Sequence, residues 1–171
     1  NKIQITRLNK TDDPSFAGIL VGGIAGGVGS LVQIHSVGHA PSSFYVNKQV
    51  YGSNGQAVEG LYADLNKDGL INNSDLYRYK SPNPAVFIGF SNTFTYDKWS
   101  LYCSMRANIG NYVYNNIYSL LGNYNKTLVY SDNISNVSSN VLTTNFNLPQ
   151  YLSDYYVENA SFLRMDNLRL A

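Results

Sequence analysis

The sequence has few charged residues and a single cysteine. Only 13% of its 171 residues are Asp, Glu, Lys or Arg, which is about half the share usual in a soluble globular domain. The net charge is only +1, whereas a nucleic-acid-binding domain usually carries a clustered basic face. Cys103 has no second cysteine for an internal disulfide bond, and we interpret it as a small apolar residue on a strand. A nucleic-acid-binding protein and a disulfide-rich fold are therefore not expected.

The sequence also has no hydrophobic run long enough for a membrane-spanning helix, which needs about 20 apolar residues. The nearest candidate, residues 17–32, is too short and too rich in glycine. Its glycines are not followed by Gly-Lys-Ser/Thr, so it does not match a phosphate-binding loop, and we predict an apolar loop. The chain opens at Asn1-Lys2-Ile3 within an alternating stretch, so we expect it to be part of a longer protein.

Residue patterns of common catalytic sites are missing as well. His35 and His39 lie four residues apart, but Ser36-Val37-Gly38 between them is poor helix-forming sequence and no HExxH pattern is present. There is no Gly-x-Ser-x-Gly motif. Glu59 and Glu158 are the only glutamates, and no carboxylate pair stands out for glycoside cleavage. We therefore do not expect an enzyme, and a glycan-processing enzyme ranks last among the functions considered.

Alternation of apolar and polar residues is the main structural signal, and it is clearest over residues 85–109. A period of two indicates a strand with two different faces. The apolar positions are Val86, Ile88, Phe90, Phe94 and Tyr96, then, after Asp97-Lys98, Trp99, Leu101, Cys103, Met105, Ala107 and Ile109. Strands of about eleven residues exceed the five or six usual in soluble sheets and match a tilted membrane strand. The pattern is typical of a transmembrane barrel hairpin, and a long hairpin of a soluble β-sandwich remains the alternative.

Weaker signals in the rest of the sequence also predict an all-β, antiparallel fold class. Asn54-Gly55 is a strong hairpin turn signal. Residues 110–150 are rich in Asn, Ser and Tyr with little periodicity, so we predict a long loop with no helix longer than two turns. Such length is unusual in a compact soluble domain and ordinary for the outward loops of outer-membrane barrels. Further strands are predicted over residues 1–8, 31–34, 43–51, 58–63 and 160–171.

Residues 64–75 match the spacing of an EF-hand calcium loop. Ca²⁺ takes six to eight oxygen ligands, and alternate residues of a tightly wound loop point at its centre. The glycine of the motif is Gly69, and Ile71 is expected to point inward as an apolar anchor. The predicted ligands are Asp64, Asn66, Asp68, the backbone carbonyl of Leu70, Asn72 and Asp75.

The last ligand position of this loop departs from the EF-hand pattern, because Asp75 stands where Glu is usual. The shorter side chain reaches a bidentate position only if the backbone moves inward, so the loop is closer to the dockerin type. We expect any bound ion to have a structural role. The alternative is a solvated Asn- and Gly-rich turn that binds no metal.

A series of short motifs runs in order along nearly the whole chain. They are Val37-Gly38-His39-Ala40-Pro41 with Ser43-Phe44-Tyr45-Val46, Asp64 to Asn72, Ser81-Pro82-Asn83-Pro84, Gly89-Phe90-Ser91, Trp99-Ser100-Leu101, Asn111 to Asn115 and Ser153 to Asn167. Each motif is weak alone, but together they are specific. The set resembles the SusC/RagA family of TonB-linked (TonB-dependent) outer-membrane transporters. The acidic loop is similar to the family's D-x-N-G-D-G-x-I sequence, with Lys67 where Gly is common.

The resemblance implies a segment from the C-terminal half of a large β-barrel with a plugged lumen, in the outer membrane of a Gram-negative bacterium. It implies contact with membrane lipid and import of oligosaccharides or peptides. The implied partners are a SusD-like surface lipoprotein and TonB, the latter through parts absent from this chain. The competing hypothesis is a soluble, calcium-stabilised β-module for adhesion or carbohydrate binding.

The same resemblance divides the 171 residues into barrel and loop regions. Residues 9–84 form an extracellular loop that contains the calcium-type loop. Residues 85–109 form a transmembrane hairpin whose turn faces the periplasm. Residues 110–159 form a second extracellular loop, and residues 160–171 form a returning strand of this incomplete barrel segment. Tyr112, Tyr114 and Tyr151 are candidate contacts for the cargo.

Overall fold

The computed structural model describes residues 3–8, 16–27, 29–125 and 136–171, and this part of the chain is mostly antiparallel strand. Its strands are β1 (Ile19–Gly23), β2 (Leu31–His35), β3 (Ser43–Val46), β4 (Gln49–Tyr51), β5 (Ala57–Tyr62), β6 (Tyr77–Arg78), β7 (Val86–Tyr96), β8 (Trp99–Ile109), β9 (Tyr112–Tyr114), β10 (Val157–Asn159) and β11 (Phe162–Leu170). Two short helices span Asn116–Leu121 and Val141–Thr144, and 3-10 turns span Asn73–Asp75 and Asp154–Tyr156. The all-β, antiparallel class is confirmed.

A three-stranded sheet with the order β11-β8-β7 contains the longest strands. The register of β7 and β8 runs without interruption from Val86↔Ile109 to Tyr96↔Trp99, so Asp97-Lys98 forms a two-residue turn. Strand β11 pairs with the other edge of β8. The hairpin and the returning strand therefore form as predicted.

A β-bulge in β11 aligns its two faces with those of β8. The register passes from Met165 to Asn167 across neighbouring residues of β8, which leaves Asp166 as the extra residue. Because side chains alternate with a period of two, an uninterrupted strand would turn Leu168 and Leu170 to the opposite face from Met165. The bulge absorbs one residue and keeps these three apolar side chains on one face.

The other strands form a second structural unit, here named the loop body, which comprises residues 16–84 and 111–159 where they are described. Its sheets are β1-β2-β3-β6, β4-β5 and β9-β10. The buried core consists of Val32, Phe44, Val46 and Val157. Since Val157 comes from the second of these two segments, the two predicted extracellular loops share one core.

Several local predictions are corrected by the structure. Residues 3–8 form only an isolated parallel bridge between Ile5 and Val37, not a strand. The glycine-rich stretch is more than a loop, because Ile19–Gly23 pairs with Leu31–His35. Backbone hydrogen bonds to a neighbouring strand need no side chain, so tertiary context outweighs the poor strand propensity of glycine.

Of the remaining predictions of secondary structure, some are confirmed and others are corrected. The hairpin around Asn54-Gly55 is confirmed by the pairing of β4 with β5, whereas residues 43–51 divide into two strands that belong to different sheets. The predicted loop over 110–150 contains β9 and both short helices. Residues 1–2 of the first predicted strand, 9–15 and 28 of the first predicted loop and 126–135 of the second lie outside the described residues.

Gly26 lies where the turn after β1 meets the helix Asn116–Leu121. Its φ is +82°, and a Cβ there would contact the Leu120 side chain and lie 2.9 Å from the Tyr151 hydroxyl. We predict that Gly26→Ala in the full-length protein destabilises the loop body by about 2–5 kcal/mol, because overpacking by the added methyl group costs about 1–3 kcal/mol in addition to a backbone strain of about 1–2 kcal/mol. Limited proteolysis of the loop body measures the effect.

Gly29 provides the matched control for this substitution. Its φ is +78°, but a Cβ there has no atom within 4 Å. Gly29→Ala should therefore cost only the backbone strain of about 1–2 kcal/mol that both positions share. Equal proteolytic sensitivity of the two variants would contradict the close approach at Gly26.

Candidate functional site

The three-stranded sheet has one face that is apolar and free of charge. Residues that pair directly across neighbouring strands share a face, so the register assigns each paired side chain of the sheet to one of its two faces. The apolar face carries Val86, Ile88, Phe90, Phe94, Tyr96, Trp99, Leu101, Cys103, Met105, Ala107, Ile109, Leu163, Met165, Leu168 and Leu170, with the amide of Asn92 among them. A continuous apolar surface thus spans all three strands.

Within the described part of the chain, no second layer covers the apolar face. The exposed fraction is 51% at Phe90, 57% at Phe94 and 60% at Leu168. A soluble β-sandwich packs a second sheet about 10 Å from such a face, and soluble monomers rarely expose apolar patches of more than a few hundred Å². The arrangement matches a strand pair that faces hydrocarbon.

Two aromatic residues flank the tight turn of the hairpin. Tyr96 is 84% exposed and Trp99 is 61% exposed, on either side of Asp97-Lys98. Aromatic side chains with a polar atom favour the boundary between hydrocarbon and water, and they form girdles at both rims of membrane barrels. Their position marks the turn as the edge of the apolar band.

The opposite face of the sheet is polar and holds a small ionic cluster. Arg106 and Arg164 are directly opposed in the register, an arrangement of like charges that is destabilising by itself. Asp166, the bulge residue, lies between them, 3.2 Å from Nε of Arg106 and 3.3 Å from Nε of Arg164. The bulge therefore supplies the carboxylate that this arginine pair needs.

Asp154 connects distant segments of the loop body. Its Oδ1 accepts a 2.9 Å hydrogen bond from the backbone N–H of Gln49, and its Oδ2 accepts one of 2.6 Å from the Tyr77 hydroxyl. The pKa of Tyr77 lies well above its usual value, mainly because the hydroxyl is buried and, to a smaller extent, because it donates to Asp154. The carboxylate thereby ties the 3-10 turn before β10 to β4 and β6.

The buried side chain of Gln49 continues this connection. Its Nε2 donates to the carbonyls of Val58 and Leu61 at 2.7 and 3.2 Å. Its Oε1 accepts a 2.9 Å hydrogen bond from the Ser153 hydroxyl, which is itself buried. A buried amide with both ends satisfied fixes the relative position of β4, β5 and the second segment.

Two further polar side chains join β5 to the segment before Asp154. The Glu59 carboxylate accepts hydrogen bonds from the backbone N–H groups of Asn147 and Leu148, the latter at 2.6 Å. Oε1 of Gln150 accepts from the backbone N–H of Gly60 at 2.9 Å and from the Tyr62 hydroxyl at 3.0 Å. Burial is the main cause that raises the pKa of Tyr62 to about 12. The hydroxyl therefore stays protonated and remains a hydrogen-bond donor.

The acidic loop adopts a tight, internally hydrogen-bonded conformation. Oδ1 and Oδ2 of Asp64 accept from the backbone N–H groups of Lys67 and Gly69 at 2.6 and 2.8 Å. Oδ1 of Asp68 accepts from the backbone N–H of Leu70 at 2.8 Å. Gly69 has a φ of +83°, the left-handed conformation that the predicted sharp turn requires.

Asp75 closes the loop from a fully buried position. Its oxygens accept from the backbone N–H groups of Leu65 at 2.8 Å and Asn72 at 3.0 Å. The hydrogen bond from Asn72, the largest cause, holds the pKa of this carboxyl below its usual value. Because Leu65 directly follows Asp64, the bonds from Leu65 and Asn72 bring the beginning and the end of the loop together.

The loop departs from the prediction in its apolar residues. Ile71 is 46% exposed and Leu70 is 65% exposed, so the expected inward anchor at Ile71 is wrong; the buried Asp75 carboxylate holds the loop from inside instead. Among the described residues, no group of three or more His, Cys, Asp or Glu side chains is gathered closely enough to hold a metal. The predicted donor set relies on amides and a carbonyl as well, and the metal site stays a prediction.

The three tyrosines predicted as cargo contacts lie in two different places in the structure. Tyr112 and Tyr114 are partly buried against the core and line a cavity of about 310 Å³ together with Phe44 and Pro82. Burial is the main cause that raises the pKa of Tyr114 to about 12. Tyr151 lies outside this cavity lining, beside Gly26. Their role in cargo binding stays a prediction.

The described part of the chain contains no helix of the length and apolarity needed to cross a membrane. Together, the antiparallel architecture and the exposed two-faced sheet define the class as an all-β protein with strands of the barrel type.

Comparison with known proteins agrees with this class. No family model matches the sequence. The chain is 37% identical over 172 aligned residues to the TonB-dependent receptor SusC of Bacteroides thetaiotaomicron, and the alignment covers 99% of this chain and 17% of that receptor. The chain is therefore a segment of a SusC-like protein, and it spans about a sixth of the relative's length.

Proposed function

We propose that the chain is part of an outer-membrane TonB-dependent transporter, in which β7, β8 and β11 belong to the barrel wall. The apolar face of this sheet contacts lipid, and the polar face is directed to the lumen. The observation that carries the proposal is the exposed apolar face without a charged residue. The similarity to SusC over the length of the chain supports it.

In this proposal the whole protein moves cargo and catalyses no reaction. It imports glycans or peptides across the outer membrane of a Gram-negative bacterium, together with a SusD-like lipoprotein and with energy from TonB. The loop body lies on the extracellular side, because its two long segments leave the sheet at the end opposite to the short Asp97-Lys98 turn, and such barrels have long extracellular loops and short periplasmic turns. The turn then faces the periplasm.

Lipid contact is tested with a fluorescent label at adjacent positions of β8 in the full-length protein. Leu101→Cys and Tyr102→Cys, each in a Cys103→Ala background, place the label on the apolar and polar faces. We expect a quencher attached to lipid acyl chains to reduce the fluorescence at position 101 several-fold and to leave position 102 nearly unchanged. Equal quenching at both positions, or a chain that stays monodisperse without detergent, would favour the soluble β-module instead.

We propose in addition that residues 64–75 hold a structural Ca²⁺. The support is the oxygen-only donor set that Ca²⁺ prefers, the hydrogen bonds from Leu65 and Asn72 to Asp75 that close the loop, and the turn at Gly69. Each carboxylate oxygen has two acceptor sites, so an N–H bond does not exclude a cation. The ion would bind several oxygens of the loop at once and hold the loop closed.

Calcium binding is tested by titration calorimetry and thermal unfolding of the full-length protein with the double substitution Asp64→Asn and Asp68→Asn. We expect Ca²⁺ at a hundred times its dissociation constant to stabilise the unsubstituted loop by about 2.7 kcal/mol and to have no effect on the double variant. Asp97→Asn, in the distant turn, is the control and should keep the calcium response. A response that is the same in all three proteins, or absent from all, rejects the site.

A further inference from the structure

The cavity beside β9 is lined, among the described residues, by side chains that carry no charge. It has a volume of about 310 Å³, and its lining includes Tyr112, Val113 and Tyr114. The backbone of Gly22 and Gly23, which have no side chains, also lines it. This volume is at the lower end of the range of about 300–1,000 Å³ for ligand pockets. The cavity therefore fits a ligand of about one small ring.

Several polar groups of this lining have unused hydrogen-bonding capacity. In the part of the chain that the structure describes, the Gln33 amide, the Tyr112 hydroxyl and Nδ2 of Asn116 form no hydrogen bond. Oδ1 of Asn116 accepts from the Ser119 hydroxyl at 3.2 Å, which orients this amide. The Gln33 side chain lies across Gly22, where an added Cβ would be 2.5 Å from Oε1 of Gln33. The missing side chain at Gly22 thus leaves room for the amide.

The backbone of β9 adds one donor and one acceptor. Directly after β9, the N–H of Asn115 donates to the carbonyl of Tyr156 beside β10. Because successive backbone groups of a strand alternate in direction, those of Tyr114 point to the other side, where the N–H of Tyr112 donates to the Ser81 carbonyl at 3.1 Å. Among the described residues, the N–H and C=O of Tyr114 have no backbone partner on that side. One open residue is too short an edge for an added peptide strand.

The uncharged lining decides which kind of ligand fits. A charged ligand would lose its water without gaining a counter-charge, which is unfavourable. Lys80 contacts the ring of Tyr112 at 5.0 Å but is not part of the lining. Phe44 and Pro82 add apolar contacts. A pyranose ring matches this combination, because it has an apolar face of C–H groups and a rim of hydroxyls that both donate and accept hydrogen bonds.

We propose that the cavity binds one neutral pyranose residue of a glycan. The amides of Gln33 and Asn116 bind its hydroxyls, and the rings of Phe44 and Tyr112 contact its C–H groups. The cavity belongs to the loop body, which the proposed function assigns to the outside of the cell. The inference rests on that function, which leaves glycans and peptides open as cargo, and it selects the glycan.

The test is saturation-transfer difference NMR of the full-length protein in detergent. The neutral probes are the methyl pyranosides of glucose, galactose, mannose and N-acetylglucosamine, and we expect at least one of them to bind. Gln33→Met keeps the length of the side chain but removes its hydrogen bonds, so it should raise the dissociation constant by about fivefold or more. Gln56→Met is the matched control, because Gln56 lies in the exposed turn between β4 and β5, and it should leave the constant unchanged.

Two further probes decide the class of ligand. Methyl glucuronide carries a carboxylate, and tighter binding of this acid than of every neutral sugar, lost in Lys80→Gln, would overturn the neutral ligand. Tighter binding of the uncharged N-acetyl dialanine amide would overturn the glycan in favour of a peptide. If no neutral sugar binds, or if Gln33→Met leaves the binding unchanged, the cavity is not a sugar site.

The proposed membrane function is tested separately by lipid quenching at positions 101 and 102. Loss of sugar binding in a protein that still shows quenching only at position 101 would overturn the sugar site alone. Sugar binding that depends on Gln33, in a protein that stays monodisperse without detergent, would support the site and overturn the membrane function.

Discussion

Met105→Arg in the full-length protein is expected to remove most of the folded protein from the outer membrane. Met105 lies near the middle of β8 and pairs with Phe90 and Met165 on the apolar face. An arginine on the lipid face near the bilayer midplane costs about 2–4 kcal/mol, which corresponds to roughly a 30- to 1,000-fold shift in the folding equilibrium. The measurement is the fraction of barrel that migrates as folded protein in unheated electrophoresis of outer-membrane fractions.

Ser104→Arg is the matched control for this substitution. Ser104 is the next residue along β8 and pairs with Ser91 on the polar face. The same side chain is introduced at almost the same depth, so only the direction of the side chain differs. We expect the amount of folded protein to stay within about twofold of the unsubstituted protein. Equal losses from both substitutions would mean that the apolar face does not contact lipid.

Asp154→Ala is expected to separate the two segments of the loop body while the barrel sheet stays intact. The substitution leaves the backbone N–H of Gln49 and the hydroxyl of Tyr77 without their acceptor. Two lost hydrogen bonds to a charged group cost about 3–6 kcal/mol. Hydrogen-exchange mass spectrometry should show faster exchange over residues 47–62 and 147–157 and unchanged exchange over residues 86–109.

Two comparisons make this result specific. Glu158→Ala removes an exposed carboxylate whose side chain accepts one hydrogen bond from Asn115, and its effect should be below about 1 kcal/mol. Tyr77→Phe removes only one of the two bonds to Asp154 and should give an intermediate increase in exchange. If Asp154→Ala exchanges no faster than Glu158→Ala, the carboxylate does not hold the loop body together.

The loop body shows where prediction from the sequence reached its limit. Gln49, Glu59, Gln150 and Asp154 join segments that are about a hundred residues apart, and no local pattern marks any of them. A polar residue in an aperiodic stretch looks like a solvated side chain until its partner is known. Residues 110–150 therefore have the pattern of one long loop, although Tyr112 and Tyr114 pack against the core.

Strand β1 was missed for a related reason. Glycines interrupt its hydrophobic pattern, and its formation depends on pairing with β2. By contrast, the sharp turn at Gly69 could be predicted from spacing alone, because the hydrogen bonds that form it lie within residues 64–75. The outward-facing Ile71 of the same loop could not, because burial depends on which residues lie beyond the loop.

The sequence by itself determined the hairpin over residues 86–109, its turn at Asp97-Lys98 and its two unlike faces, since alternation along a strand is a local property. Only the tertiary structure decided that the described residues leave the apolar face uncovered, that Asp166 is a bulge residue between two arginines, and that the two long segments share one core. These features depend on register and on contacts between residues far apart in the chain. Pairing across such distances is governed by the geometry of the folded chain, because a one-residue change in register reverses every face.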